Sequence, residues 1–299
     1  MKETTEWLRG CATALVTPFD ANGALDEDCL RRLIVRQLDA GVRLLVPCGT
    51  TGESATMATE EDQRVIRLTV ETARGRAKII AGASNNNTRF AIRNARNAAL
   101  LGVDAVMLAA PYYNKPTQEG LYQHYRAVAE AMPETPVVVY NVPGRTAVNV
   151  NAETTLRLAH DCANIVAVKE ASGNVSQIME ILRGRPAGFR VLSGDDALAL
   201  PLIALGADGL VSVASNEVPD LLAQMVGACL DGDWDTGRAL HYRLLPLMEA
   251  NFSESSPGPV KAVMAMQGLL EENLRLPLVP VMEKTRETLR GIITELGLL

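Results

Sequence analysis

Residues 136–170, PVVVYNVPGRTAVNVNAETTLRLAHDCANIVAVKE, hold one complete repeat of the pattern that decides the fold. The two ends, PVVVYNV (136–142) and NIVAVKE (164–170), are short, β-branched and apolar at consecutive positions, so each predicts a strand covered on both faces. Between them, 152–160 predicts a helix, with the Asn151 side chain available to cap its first turn. Two such strands joined through a helix describe a parallel βαβ unit.

The alternation continues in both directions. Apolar runs recur at CATALV (11–16), RLLVP (43–47), KIIAGA (78–83) and DAVMLAA (104–110), then at RVLSG (190–194) and DGLVSV (208–213), which makes eight strands. Helices are predicted over 27–40, 60–74, 88–101, 118–131, 175–182, 197–205 and 218–230. Asp26 and Thr59, the latter followed by three acidic residues, read as helix starts, and Gly41, Gly102 and Gly206 as left-handed helix ends. Eight βα units in roughly 230 residues predict an α/β fold, a (β/α)8 TIM barrel. A doubly wound sheet would show fewer strands and a Gly-rich dinucleotide loop, which this sequence lacks. After a catalytic barrel at 1–232, residues 233–299 carry helical periodicity broken at SESSPGPVK and RLPLVPV, which predicts a helical C-terminal extension.

The 299 residues are 47% hydrophobic and 21% charged, with a net charge of -6 and no basic stripe, so neither nucleic acid nor membrane is an expected partner. The N-terminus has no apolar leader, and a cytoplasmic location is expected. Five scattered cysteines fit buried thiols in a reducing compartment, and three distant histidines give no metal-ligand spacing.

In a barrel of this type, chemistry sits at the C-terminal ends of the strands, and here those ends are polar: GTTGE (49–53), PYYNKP (111–116), YNVPGRT (140–146), KEASGN (169–174) and SGDD (193–196). Lys169, one of only six lysines, ends an apolar strand, where desolvation penalises an ammonium and favours the amine that attacks a carbonyl. The alternative is a rim lysine paired with Glu170 or another carboxylate. Tyr140 ends the preceding strand, so its phenol either shuttles protons beside that amine or fills the barrel core. GTTGE offers amides and hydroxyls at an expected helix N-terminus, suited to a carboxylate rather than a phosphate because no basic residue flanks it. An ordinary Gly-rich turn is the other possibility.

Taken together, GTTGE, YYNKP (112–116), YNVPGRT, VKEASGN (168–174) and SGDD resemble the dihydrodipicolinate synthase / N-acetylneuraminate lyase family of class I aldolase-like barrels, over residues 10–299. Arg145, after the Tyr-Asn pair, resembles the synthase branch, which the sialic acid lyases do not match at this place. The resemblance implies condensation of pyruvate with aspartate 4-semialdehyde, a step in lysine and diaminopimelate biosynthesis, with no cofactor. It implies an imine on Lys169 and proton transfer by Tyr140. It also implies a hydroxyl relay in which Thr50 links Tyr140 to Tyr113, with Tyr113 reaching into a neighbouring subunit of a homotetramer built as a dimer of dimers. Thr51 would hold the pyruvate carboxylate, Val211 would give a backbone contact, Gly194 would leave room at the imine, and Arg145 would bind the semialdehyde carboxylate.

A 2-keto-3-deoxy-sugar-acid aldolase or an N-acetylneuraminate lyase would share Lys169 and Tyr140 without needing Arg145. A non-catalytic carboxylate-binding barrel is the reading from another class. Members inhibited by lysine bind it in a cleft corresponding to Ser54, Ala55, Thr59, Asp62, Asn86, Phe90 and Tyr112. Phe90 stands where those members carry glutamate, so weak or absent inhibition by L-lysine is expected.

Overall fold

The computed structural model describes residues 5–299, and its eight strands close into a parallel barrel in chain order. They are β1 (Gly10–Ala14), β2 (Leu44–Val46), β3 (Lys78–Gly82), β4 (Ala105–Ala109), β5 (Val137–Asn141), β6 (Ile165–Glu170), β7 (Arg190–Ser193) and β8 (Gly209–Ser212). Each falls on one of the apolar runs. Helices α1 (Glu27–Asp39), α2 (Thr59–Ala73), α3 (Thr88–Leu100), α4 (Gln118–Glu130), α5 (Pro143–Thr146), α6 (Ala152–Asp161), α7 (Val175–Gly184), α8 (Ala199–Ala204) and α9 (Pro219–Asp231) follow the strands. The extension adds α10 (Trp234–Ala250), α11 (Gly258–Met266) and α12 (Glu283–Glu295). Of these, α5 was not expected: Pro143 at its first turn supplies a helical φ, and YNVPGRT makes one short helix instead of a loop.

Period-two alternation divides the core into two layers. Ala12, Leu44, Ile80, Met107, Val138, Ala167, Leu192 and Val211 fill the barrel interior, while Leu45, Ile79, Val106, Val139 and Val168 face outward under the helices. The barrel closes where β8 meets β1, from Gly10↔Gly209 to Thr13↔Ser212. A Cβ on Gly209 would lie 2.1 Å from the Gly10 carbonyl oxygen, so only glycine permits that seam. The extension is not a satellite, because Leu244, Leu247, Val263, Leu289 and Ile293 share a core with Leu210, Leu222 and Met225 of the barrel.

Helix ends follow the caps with one correction. Asp26 accepts from the Cys29 amide at 2.9 Å and Asn151 from the Thr154 amide at 2.8 Å, each a contact of about 1 kcal/mol. Thr59, by contrast, lies inside α2. Ala58 is the N-cap, and the Glu61 carboxylate reaches back to accept from its amide at 2.9 Å. Gly41, Gly102 and Gly206 take positive φ as expected. All five cysteines are buried and free.

Candidate active site

Parity along β5 and β6 sorts the side chains at the barrel mouth. Tyr140 pairs with Lys169 and Asn141 with Glu170, so the first pair faces the interior and the second faces the surrounding helices. Lys169, 6% exposed, holds its Nζ 4.1 Å from the centroid of the Tyr140 ring. The alternative pairing with Glu170 is therefore excluded by geometry: consecutive strand residues point apart, and the Glu170 carboxylate accepts from Asn141 at 2.7 Å and from Gln177 at 3.3 Å. Burial pushes the Glu170 carboxyl above its usual range, and hydrogen bonds from Ser172, Asn141 and Gln177 oppose that shift.

Gly194, beyond the end of β7, shapes the same point. A Cβ there would lie 2.9 Å from Lys169 Cε and 2.7 Å from Ala171 Cβ, so glycine leaves the lysine stem its path. Val211 is a buried interior residue of β8, paired with Ala12. Asp196 of SGDD is a brace: it accepts from the Ser212 hydroxyl and from the Val213 amide, tying the end of β7 to the turn after β8.

A cavity of about 510 Å3 opens beside Tyr140 and is lined also by Gly49, Thr50, Tyr112 and Arg145. Thr51, Lys169, Gly194, Val211 and Tyr113 do not line it. Tyr113 stands 88% exposed, with a φ of 74°. Tyr140 and Thr50 share the cavity, and among the described residues no hydrogen bond joins them. Arg145, on α5, donates to the Ser256 carbonyl at 3.3 Å and is otherwise open to solvent.

GTTGE departs from expectation in two ways. It does not open a long helix: Glu53 takes the left-handed conformation, Ser54–Thr56 form one 3-10 turn, and α2 starts only at Thr59. Nor is it free of basic neighbours. The Glu53 carboxylate bonds the Lys261 ammonium at a site where both side chains are fully buried, and accepts from the Arg275 amide at 3.1 Å. Lys261 also donates to the Asn273 carbonyl at 2.8 Å, and Arg275 forks onto Glu61 at 2.6 and 2.8 Å. The extension thus grips the loop that carries Thr50 and Thr51. No local signal announces this, because Lys261 and Glu53 are 208 residues apart.

The cavity continues along Ser54, Ala55, Thr59 and Asp62, and Asn85 and Arg93 line it rather than Asn86 and Phe90. The Arg93 guanidinium lies 4.7 Å from the centroid of the exposed Phe90 ring and donates to Thr59 Oγ1 at 3.5 Å. Among the described residues, no group of three metal-ligating side chains occurs, and no helix is long and apolar enough to cross a membrane.

A family model described as the dihydrodipicolinate synthetase family matches residues 7–296. A 4-hydroxy-tetrahydrodipicolinate synthase from Koribacter versatilis is 55% identical over 98% of this chain and 97% of that protein. Among solved structures, dihydrodipicolinate synthase from Thermotoga maritima superimposes with a TM-score of 0.95 at 43% identity, covering 97% of this chain and 99% of the other. A monomeric dihydrodipicolinate synthase variant gives a TM-score of 0.96 at 42% identity, covering 99% of both chains.

Proposed function

The chain belongs to the dihydrodipicolinate synthetase family, and we infer that it catalyses the synthase reaction for which its relatives are named, the condensation of pyruvate with aspartate 4-semialdehyde. The observation that carries this is Lys169, a buried amine with no carboxylate partner among the described residues, set against Tyr140 at the mouth of a closed barrel. The amine adds to the keto carbon of pyruvate and water leaves. The resulting iminium acidifies the methyl carbon, which loses a proton and adds to the aldehyde of the second substrate. The semialdehyde nitrogen then displaces lysine as the ring closes, so one water is lost overall and the enzyme is regenerated.

Tyr140 carries protons to and from the imine, with Thr50 linking it to a Tyr113 supplied by a neighbouring subunit. An exposed tyrosine held at positive φ fits that role better than one turned into its own barrel. The assembly inferred is a dimer that pairs into a homotetramer. Thr51 and its amide hold the pyruvate carboxylate, Val211 adds a backbone contact, and Gly194 keeps the space at the imine clear. Arg145, tethered by a single carbonyl, is free to swing its fork of donors onto the semialdehyde carboxylate. Inhibition by L-lysine is weak, since Phe90 offers no carboxylate and Arg93 already brings a cation to the cleft.

A coupled assay with pyruvate and aspartate 4-semialdehyde, run beside pyruvate with N-acetylmannosamine, tests the assignment: turnover of the second pair but not the first would overturn it. Mixing Tyr113→Phe with Lys169→Ala subunits should restore turnover in hybrid dimers, and failure to do so would place Tyr113 outside the neighbour's site. Half-maximal inhibition by L-lysine below about 1 mM, a binding free energy of about -4.1 kcal/mol, would contradict weak inhibition.

A further inference from the structure

β5 and β6 pair in two registers. Val137 lies opposite Ile165, but Val138 lies opposite Ala167, which leaves Val166 as an extra residue on β6. Beyond this bulge the register must hold Tyr140 beside Lys169. A slip by one residue would turn Lys169 out of the interior, and backbone ladder bonds do not distinguish one set of side chains from another.

The outer face of the same two rungs carries a closed polar network. One hydrogen of the Asn141 amide goes to Glu170 Oε1 at 2.7 Å, the other to Asn149 Oδ1 at 2.8 Å, and Asn141 Oδ1 accepts from the Val150 amide at 2.9 Å. Asn149 donates to Gln177 Oε1 at 2.8 Å, and Gln177 donates onward to Glu170 Oε1 at 3.3 Å and to the Val150 carbonyl at 3.2 Å. Asn141 and Glu170 are almost completely buried. An apolar pair would fill this layer at less expense in desolvation, as Val139 and Val168 do one rung earlier. What a satisfied polar pair adds is a unique alignment, since only Asn141 opposite Glu170 completes it.

We propose that Asn141 and Glu170 are positioning residues: their bond, braced by Asn149 and Gln177, fixes the β5–β6 register beyond the bulge and so keeps Lys169 Nζ at the face of Tyr140. This rests on the inferred roles of Lys169 and Tyr140. The network lies behind the reacting atoms and touches no substrate, so its effect is on geometry.

The test is the rate at which borohydride traps the pyruvate adduct on Lys169 in the full-length protein, compared per folded molecule among Glu170→Leu, Glu170→Gln and the parent. Displacing an attacking group by about 1 Å costs on the order of 100-fold, so Glu170→Leu should trap tenfold to about 100-fold more slowly. Glu170→Gln, which keeps an acceptor for Asn141, should stay within about fivefold of the parent. A merely structural role would lower the melting temperature of Glu170→Leu and leave its trapping rate alone. Parental trapping by Glu170→Leu, or equal slowing in both variants, overturns the proposal. Should Glu170→Leu fail to fold, Gln177→Met, on α7 and away from the sheet, is expected to slow trapping about threefold, and an unchanged rate there overturns the proposal as well. A parent that forms no adduct on Lys169 overturns the functional assignment and this proposal with it, whereas a trapping parent with an unaffected Leu variant overturns this proposal alone.

Discussion

Among the described residues two lysines are buried, each against an aromatic ring, and they differ in their polar partners. Lys261, 0% exposed, meets the Glu53 carboxylate, the Asn273 carbonyl and the Phe19 ring, whose centroid is 4.5 Å away. Lys169, 6% exposed, has a ring at 4.1 Å and no hydrogen bond or ion pair among the described residues. Burial pulls the Lys261 amine below its ordinary range, and Glu53 works against that pull. Burial by itself therefore does not single out a nucleophile. What sets Lys169 apart is that, among the described residues, its surroundings leave it unpaired.

Lys169→Arg breaks the comparison most directly. Activity should fall by more than about 1,000-fold while the melting temperature changes little, because an obligate nucleophile is lost and no ion pair is opened. Peptide mapping after pyruvate and borohydride must find the adduct on Lys169, and an adduct on Lys261 would reverse the two roles.

Lys261→Met should do the opposite. Leaving Glu53 buried without its cation costs about 3–5 kcal/mol of stability, measured by urea unfolding, while any folded fraction still traps pyruvate on Lys169. The double variant Glu53→Leu/Lys261→Met should regain about half of that loss, since neither charge is then left alone. Additive losses in the double-mutant cycle would show that the pair does not act as a unit.

In its pairing Arg145 is intermediate between the two lysines, a cation whose side chain has one carbonyl partner among the described residues. Arg145→Ala should lower kcat/KM for the semialdehyde by about one to two decades, or about 1.5–3 kcal/mol, with pyruvate trapping nearly unchanged. Equal damage to both half-reactions would make it a structural cation like Lys261.

The smallest effect concerns acids, where neighbouring residues repeat the contrast. Arg275 holds the Glu61 carboxyl down at about 2, whereas burial lifts Asp62, whose Oδ1 has no donor among the described residues, to about 7. A carboxyl raised in the folded state favours folding when protonated, so its contribution is lost as pH rises through about 4 to 7. The stability of Asp62→Asn relative to the parent should grow across that window and stay level above it; about three pH units correspond to at most about 4 kcal/mol, which the half-buried position of Asp62 reduces to roughly 1–2 kcal/mol. A flat difference would mean that solvent reaches Asp62.

Most of this fold was legible in the sequence because each βα unit advertises itself locally. Apolar runs such as NIVAVKE give strands, Asp26 and Asn151 give helix starts, and strand ends locate Lys169 and Tyr140 on adjacent strands. Thr59 misled because the helix begins one residue earlier than its hydroxyl suggests: Ala58 is the N-cap, and Glu61, three residues on, accepts from the Ala58 amide. The Glu53–Lys261 pair was illegible for a different reason: nothing near either residue marks a partner in a remote helix. Asn141 and Glu170 were legible in principle, since each follows an inward residue and must face outward, but parity does not say that the two would bond.

The seam between Gly10 and Gly209 also governs how the chain is made. A ribosome adds about 5–20 residues per second, so the first strand waits roughly 10–40 s for the last, and until then the growing sheet has two unpaired edges. Glu53 waits longer still, because Lys261 emerges later than β8. The threonine loop at the mouth is therefore fixed only near the end of synthesis, so a nascent chain cut short before residue 261 would hold Lys169 but not the settled loop above it.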